Sequence, residues 1–361
     1  MVGDTWLPDK RVLSAVVGSY PKPDYLYGGT GRELLDDMGM SFQALEEEVG
    51  FDEYRSRIQR ATLQAITDQN EAGIDLVSDG EEPRDHYVLY VLRGLDGVEF
   101  KRLEEKEIRD GRYTRHVPVV VEPFRYRQPI LVEDFRFLAS HTTQIAKVNL
   151  PGPSTVVDCV ADRVYGGDRA AMAMAYAEAI RHEVSALIDA GCTVFQFDDP
   201  VLLRHPDRAR EWGLDALQAC FQGFEEAAFF GVHICRGYPD ESLEQQGVAY
   251  KADADNYADV LDWFRDSAFD MISIEGAQCG LDLSVLSKTS RLTLMLGVLD
   301  VGSETVEDVE GLVARGQEAL DTLNPRQIIL APDCGMVQIS REAAKAKLVN
   351  LAKATAILNG D

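Results

Sequence analysis

The chain has 361 residues, of which 45% are hydrophobic and 27% charged, a composition typical of a globular enzyme. Its 36 lysines and arginines against 61 aspartates and glutamates give a formal net charge of −25. This charge argues against a general binder of nucleic acid or anionic membranes, because such proteins need clustered cations. No apolar run is long enough to span a membrane, and the first residues lack the pattern of a secretory signal. We therefore expect a cytoplasmic protein.

Short apolar segments alternate with helical patterns along most of the chain, and most of these segments end at Gly, Pro, Ser or Asp. The predicted strands are 12–17, 74–77, 145–149, 193–197, 227–232, 271–274, 292–296 and 327–331. The predicted helices are 45–72, 87–95, 132–141, 168–190, 210–227, 255–267, 304–323 and 341–358, with a short one near Leu283.

Eight buried strands alternating with helices predict a parallel sheet closed into a (β/α)8 TIM barrel. We expect one catalytic domain over residues 1–361. Residues 97–130 break the rhythm with charged and alternating stretches, which indicates a β-hairpin-like insertion after the second βα unit. An open doubly wound sheet is the alternative, but no GxGxxG or GxxxxGK[ST] motif follows any strand.

A histidine and a cysteine lie two residues apart at the end of the fifth predicted strand. Residues i and i+2 of an extended chain point to the same side, so His233 and Cys235 can converge on one point. An imidazole and a thiol at one point suit a soft metal ion. In a barrel the C-terminal ends of all strands meet at one rim, where the later strands supply Glu275 and Cys334. These four residues are the candidate zinc ligands.

The six cysteines are scattered and do not resemble a disulfide framework. Most are expected to be small buried apolar residues. Cys279 is an alternative to Cys334 as a ligand, although it lies in a loop after Glu275 rather than at a strand end. Other polar residues at the predicted strand ends are Ser19, Glu81, Asp198 and Asp300. Glu81 and Asp198 could equally cap the helices that follow them, as could Ser19.

These residues belong to motifs that resemble the catalytic C-terminal barrel of cobalamin-independent methionine synthases, within the uroporphyrinogen decarboxylase and methionine synthase-like superfamily. The resemblance covers nearly the whole chain. The motifs are Gly18-Ser19-Tyr20-Pro21, Asp79-Gly80-Glu81 with Arg84, Gly152-Pro153-Ser154-Thr155, Phe195-Gln196-Phe197-Asp198-Asp199-Pro200, His233-Ile234-Cys235, Ile274-Glu275, Gly297-Val298-Leu299-Asp300 and Pro332-Asp333-Cys334-Gly335.

The resemblance implies zinc at His233, Cys235, Glu275 and Cys334, and methyl transfer to the thiol of homocysteine to form methionine. The substrate ammonium would be held by Glu81 and Asp198 and its carboxylate near Ser19. The implied methyl donor is a methyl folate or a methyl-corrinoid protein, with cobalamin not bound as the enzyme's own cofactor. The sequence indicates no oligomeric state.

Two departures from the family pattern affect this prediction. Full-length methionine synthases carry a second, N-terminal barrel, and 361 residues leave no room for one. They also have a histidine two residues after the aspartate that matches Asp300, where this chain has Gly302. Asp300 and His86 are the candidate proton donors.

Three other functions stay open. Epoxyalkane:coenzyme M transferases are similar single-barrel proteins, and their sulfonate substrate would need a cation such as Arg84 or Arg236. A metal-free lyase of the decarboxylase branch is disfavoured by the cysteine and histidine motifs. A non-catalytic zinc barrel would not need Glu81 and Asp198. The two carboxylates favour homocysteine, which carries an ammonium group.

Overall fold

A computed structural model of the chain describes residues 6–8, 12–29, 40–108, 113–238, 251–284, 292–322 and 328–360. The strands in this part are β1 (Val12–Ser14), β2 (Leu76–Val77), β3 (Leu95–Ile108), β4 (Tyr113–Tyr126), β5 (Ile145–Pro151), β6 (Ala161–Asp162), β7 (Val194–Asp198), β8 (Phe229–Ile234), β9 (Met271–Ile274), β10 (Thr293–Leu299) and β11 (Ile328–Pro332).

The helices of the described part lie mainly between barrel strands. They are α1 (Met40–Val49), α2 (Phe51–Ala72), α3 (Tyr87–Arg93), α4 (Val132–Ser140), α5 (Pro153–Asp158), α6 (Arg169–Asp189), α7 (Val201–Arg204), α8 (Pro206–Arg208), α9 (Leu214–Ala219), α10 (Tyr257–Phe264), α11 (Val309–Thr322) and α12 (Arg341–Asn359). A π-helical turn, Ala209–Gly213, joins α8 to α9. None of these helices is both long enough and apolar enough to span a membrane.

Eight strands form one sheet in the order β1-β11-β10-β9-β8-β7-β5-β2, and every neighbouring pair is parallel. A parallel bridge between Ala15 and Leu76 joins the two ends of this order, with the Val16 amide donating to the Leu76 carbonyl at 3.2 Å. The predicted (β/α)8 barrel is therefore confirmed.

The interior of the barrel changes from apolar to polar along the strands. Alternate strand residues near the N-terminal ends form a buried apolar cluster that includes Leu13, Val194, Phe229, Met271 and Ile329. Further along, the same faces of the strands carry polar side chains, all of them buried: Lys147, Asn149, Gln196, Asp198, His233 and Ser273. Buried polar groups need partners, so this end of the barrel is where we look for a site.

β3 and β4 lie outside the barrel sheet, between the second and third barrel strands. They pair antiparallel from Leu95 with Tyr126 to Ile108 with Tyr113, and β4 also pairs with β6 in parallel. A hairpin-like insertion is expected here, and the residues that would join its two strands, 109–112, lie outside the described residues.

Two predicted helices differ from those observed. The pattern starting near Leu45 is two helices, because Gly50 between α1 and α2 has φ of 83°, a conformation that glycine adopts at little cost and that a helix does not contain. The helix predicted over 210–227 ends at Ala219, and the following turn contains Gly223 with φ of 89°. The short helix predicted near Leu283 runs into residues 285–291, which lie outside the described residues.

Candidate metal centre and substrate site

Three of the four predicted ligands lie together at the C-terminal rim of the barrel. Candidate ligand atoms of His233, Cys235 and Cys334 are all within 4.8 Å of one another, and all three residues are buried. The two sulfur atoms are 3.6 Å apart, too far for a disulfide bond of about 2.05 Å. β8 supplies the first two residues, and the segment after β11 supplies the third. This group of three residues, hereafter the His-Cys-Cys cluster, could hold a metal ion.

The His233 ring is fixed with one nitrogen free for a ligand. Its Nδ1 is 2.8 Å from Ser273 Oγ on the neighbouring strand β9. Its Nε2 is buried and has no hydrogen-bond partner among the described residues. A ligating histidine commonly uses its second ring nitrogen to hold its orientation and tautomer. Ser273 can do this for His233, which leaves the Nε2 lone pair available to a metal ion.

The two thiols of the cluster have different acidities. Hydrogen bonding from the Cys334 thiol lowers the pKa of Cys235 well below its ordinary value, and the nearby His233 ring also lowers it. The same contact raises the pKa of Cys334. A thiolate at Cys235 therefore forms readily, and thiolates are the form in which cysteines bind metals.

Glu275 follows β9 but is not part of the cluster in this structure. Its carboxylate is fully buried, with Oε1 at 2.6 Å from Lys251 Nζ and at 3.5 Å from Arg236 Nη1. The Arg236 amide donates to Oε2 at 3.2 Å. Burial raises the pKa of Glu275 to about 7, against the opposing effect of Lys251. Its role as a ligand stays a prediction.

Asp333 connects the loop after β9 to the loop that carries Cys334. Its carboxylate accepts hydrogen bonds from the amides of Gly276 at 2.9 Å, Ala277 at 2.8 Å and Gln278 at 2.7 Å. These bonds tie the residues directly after Glu275 to the residue directly before Cys334. The two loops are therefore held in a fixed relation at the rim.

Two further carboxylates, Glu81 and Asp198, are buried at this end of the barrel, and Asp198 is paired in register with His233 on the neighbouring strand. Asp198 Oδ1 accepts from Gln196 Nε2 at 2.6 Å and its Oδ2 from Asn149 Nδ2 at 3.1 Å. Burial raises the pKa of Glu81 to about 7, against the opposing effect of Arg84, and the Asp198 charge raises it further. Two interacting acids in one buried place favour the binding of a cation.

The backbone of Glu81 has a conformation that is unfavourable for residues other than glycine. Glu81 has φ of 53°, the only positive value outside glycine in the described residues, and such conformations cluster at functional sites. Opposite it, a Cβ at Gly18 would lie 2.7 Å from Glu81 Oε1 and 2.6 Å from Asn149 Nδ2. Only glycine leaves room at position 18 for these two groups.

Ser19 lies beside the loop that carries Cys334. Its Oγ is 2.9 Å from the Tyr238 hydroxyl, and its carbonyl accepts from the Met336 amide at 2.8 Å. A Cβ at Gly335, next to Cys334, would overlap both hydroxyl oxygens. Glycine at 335 thus lets a pair of hydroxyl groups approach the cluster.

The two predicted proton donors are engaged in local structure. His86 is the N-cap of α3, where its Nδ1 accepts from the amides of Val88 at 3.2 Å and Leu89 at 3.5 Å. Asp300 Oδ1 accepts from the Gly302 amide at 2.8 Å, and the Asp300 amide donates to Glu307 at 2.8 Å. Both roles in proton transfer stay predictions.

Several residues of the site were not predicted from the sequence. Ser273 lies two residues before Glu275. Lys147 and Gln196 lie two residues before Asn149 and Asp198. Each of the three is a polar residue on the inward face of an otherwise apolar strand, and that pattern was available in the sequence. Tyr238 and Lys251 lie in loops, where the sequence has no period to mark them.

Comparison with known proteins identifies the family. A model of the cobalamin-independent synthase catalytic domain matches residues 13–356. The chain belongs to this family. Methionine synthases of Thermococcus kodakarensis and Sulfolobus acidocaldarius are similar to it over most of their lengths. The first is 27% identical over 347 residues, covering 96% of this chain and 93% of the relative. The second is 28% identical over 351 residues, covering 96% and 91%.

Solved structures of the family have the same fold. A B12-independent methionine synthase from Shewanella sp. W3-18-1, in complex with selenomethionine, superposes with a TM-score of 0.85 at 28% identity, covering 96% of this chain and 97% of that one. A structure from Listeria monocytogenes at 20% identity and a TM-score of 0.72, covering 96% and 98%, supports the fold alone.

Proposed function

We propose that this chain is a zinc-dependent methyltransferase that methylates the sulfur of homocysteine to form methionine. The observation that carries the proposal is the buried His-Cys-Cys cluster with its unpaired His233 Nε2, in a barrel of the cobalamin-independent synthase family. The Shewanella relative binds selenomethionine, which has the skeleton of methionine with selenium in place of sulfur.

The residues present fit zinc. Two thiolates and an imidazole are normal zinc donors, and two sulfur ligands on a tetrahedral zinc with bonds of about 2.3 Å would lie about 3.8 Å apart. The observed separation of 3.6 Å is close to this value. Three protein ligands would leave a fourth position that Glu275 and the substrate sulfur could occupy in turn, as in catalytic rather than structural zinc sites. His233, Cys235 and Cys334 would hold the ion, with Glu275 as the fourth ligand in the absence of substrate.

Zinc in this site would keep the substrate thiol deprotonated and nucleophilic at neutral pH. The protein residues bind and orient the rest of the substrate. Glu81 and Asp198 receive the ammonium group. Ser19 and Tyr238 form a hydroxyl pair in which one hydrogen joins the two oxygens, and the second hydrogen donates to the substrate carboxylate. Held by its ammonium and carboxylate groups, homocysteine presents its sulfur in a fixed direction, which lowers the entropic part of the barrier.

In the reaction, the sulfur forms a bond to the methyl carbon while the bond from that carbon to the donor breaks. A methyl folate that has lost its methyl group then needs a proton on nitrogen, whereas a methyl-corrinoid keeps the bond electrons on its own metal and needs none. Asp300, whose Oδ1 accepts from the Gly302 amide, and His86 are the candidates to supply that proton. The donor is a methyl folate or a methyl-corrinoid protein.

Two observations disfavour coenzyme M as the thiol. The two arginines considered for a sulfonate are already ion-paired: Arg84 with Glu81 at 3.6 Å and Asp79 at 3.8 Å, and Arg236 with Glu275 at 3.5 Å. The mouth instead presents Glu81 and Asp198, which repel a sulfonate and attract an ammonium group.

The Cys334→Ser substitution tests the proposal. We expect the variant to lose most of its zinc, measured by elemental analysis, together with methionine formation from homocysteine, measured by mass spectrometry with methyltetrahydrofolate and methylcobalamin as donors. Binding of homocysteine, measured by calorimetry, tests the acceptor whichever donor the protein uses.

Cys279→Ser is the matched control, because Cys279 lies near the site but outside the cluster. This variant should keep both its zinc and its methionine formation. A Cys334→Ser protein with full zinc and full activity would overturn the proposal.

A further inference from the structure

A fully buried lysine lies at the centre of the barrel, below the two carboxylates. Lys147 is on β5 and 1% exposed. Its Nζ donates to the Val17 carbonyl at 2.7 Å, to Asn149 Oδ1 at 2.8 Å and to Gln196 Oε1 at 2.8 Å. An ammonium group has three hydrogens and accepts none, so these three bonds use all of its hydrogen-bonding capacity.

The lysine determines how the two amides are oriented. Because Lys147 only donates, the amide atoms that face it must be oxygens, so the NH2 groups of Asn149 and Gln196 must face away from it. Each NH2 donates one hydrogen to the Val17 carbonyl, at 2.6 Å and 3.0 Å. The other hydrogens go to Asp198, one to each carboxylate oxygen. Lys147 therefore acts on Asp198 through two parallel amides.

We propose that Lys147 is a positioning residue for the substrate amino group: by fixing both amides it holds the Asp198 carboxylate in the plane that receives an ammonium ion. The inference rests on the proposed function and goes beyond it. With the inner lone pairs of Asp198 taken by the amides, its outer lone pairs face the barrel mouth, where Glu81 supplies the second acceptor.

The charges agree with this assignment. Glu81, Asp198 and Asp79 carry three negative charges when ionised. Lys147 supplies one positive charge, and Arg84, which pairs with Asp79 and Glu81, supplies a second. One negative charge is left for the ammonium group of an amino acid. Burial lowers the pKa of Lys147 to about 8, against the opposing effects of Asp198 and Glu81, so the side chain is mostly a cation at neutral pH. A neutral side chain here would leave two like charges close together, which is unfavourable in a buried place.

A second buried lysine provides a matched control. Lys347 on α12 is 0% exposed, and its Nζ donates to the Asp300 carbonyl at 3.0 Å and to both oxygens of Glu307 at 3.0 Å. None of the hydrogen bonds of its Nζ goes to Asn149, Gln196 or Asp198. Replacing it removes a buried ammonium group without disturbing the amide pair.

The test compares two ligands of the zinc-loaded protein: homocysteine and 4-mercaptobutanoate, which is homocysteine without the amino group. In Lys147→Met the oxygens of Asn149 and Gln196 lose the donor that holds them, so the two side chains can leave the positions from which they fix Asp198. We expect calorimetry to show homocysteine affinity falling by about tenfold or more, with the affinity for 4-mercaptobutanoate within about twofold of wild type. Lys347→Met should keep the wild-type ratio of the two affinities.

An unchanged ratio of the two affinities in Lys147→Met would overturn the inference, whether neither affinity changes or both fall equally, as they would for a merely structural lysine. If Lys147→Met does not fold, Gln196→Met tests the same arrangement by removing one of the two amides, and the ratio should fall in the same direction. A wild-type protein that does not bind homocysteine would instead contradict the proposed function, which separates the two failures.

Discussion

Glu81 shows how much of this site depends on a single residue in an unfavourable state. It has a positive φ of 53°, its side chain is buried, and burial raises its pKa to about 7. Each of these features costs free energy in the absence of a ligand. A substrate ammonium group would relieve the electrostatic part, because an opposite charge nearby favours the ionised carboxylate.

This predicts a pH dependence of homocysteine recognition. Ammonium binding favours ionised Glu81, so the pKa of Glu81 is lower in the complex than in the free protein. Below a pH of about 7 the free carboxyl is protonated and binding must release that proton, so affinity falls as the pH falls. We expect the ratio of homocysteine to 4-mercaptobutanoate affinity to be about tenfold lower at pH 6 than at pH 8. Taking the ratio cancels the contribution of the thiol proton.

Calorimetric titrations across this pH range measure that ratio. Glu81→Gln supplies the control, since it removes the titrating group while keeping the size of the side chain. The ratio in the variant should be lower than in wild type and should change little with pH. A wild-type ratio that is the same at pH 6 and pH 8 would contradict the assignment of Glu81 to the amino group.

The individual site residues could be predicted where residue type and strand position were enough. His233, Cys235 and Cys334 are soft metal donors at strand ends, and the barrel brings such ends together. The strand period could have marked Ser273 and Lys147 as polar residues on inward positions, but it could not have given their roles. Their roles depend on which residues face each other across neighbouring strands, such as His233 opposite Ser273, and one sequence does not contain that register.

At the scale of elements, α6 holds the start of α4 through one buried carboxylate. Glu183 is 0% exposed. Its Oε1 accepts from the Leu131 amide at 2.7 Å, and its Oε2 accepts from the Ile130 amide and from the Tyr126 hydroxyl, both at 2.9 Å. The first amides of a helix have no partner within it, and here a distant helix supplies the acceptor while also holding the end of β4.

We predict that Glu183→Ala lowers the free energy of unfolding by about 2–4 kcal/mol, because it leaves two amides and a hydroxyl without their acceptor. Urea denaturation followed by circular dichroism measures the change. Glu178→Ala is the control, since Glu178 is exposed on the same helix and should change stability by less than about 0.5 kcal/mol. Equal stability of the two variants would show that Glu183 does not hold these elements together.

The predicted helices and strands agree with the structure where the hydrophobic period of the sequence continues without interruption. β9 was predicted at 271–274 and is observed at Met271–Ile274. The break between α1 and α2 was missed because a single glycine inside a helical period is usually tolerated, and only the backbone geometry shows that Gly50 leaves the helix. The support of α4 by Glu183 joins residues 52 positions apart along the chain, which no local pattern contains.

At the scale of the whole molecule, closure of the barrel turns separate motifs into one site. Strand ends more than 300 residues apart along the chain, at Gly18 and Cys334, lie at the same rim, since β1 pairs with β11. The alternation of strands and helices was enough to predict this closure. It was not enough to predict the partners of Glu275, whose carboxylate is paired with Lys251 and Arg236 in this structure, because those partners lie in loops, whose side chains follow no period.

X-ray absorption at the zinc edge of the purified protein, with and without homocysteine, tests the central claim most directly. The cluster supplies two sulfur ligands, so the protein alone should show two sulfur atoms within bonding distance of zinc, at about 2.3 Å. Saturating homocysteine should raise the number to three. A count that stays at two with homocysteine bound would contradict the account, because the substrate sulfur would then react without the metal.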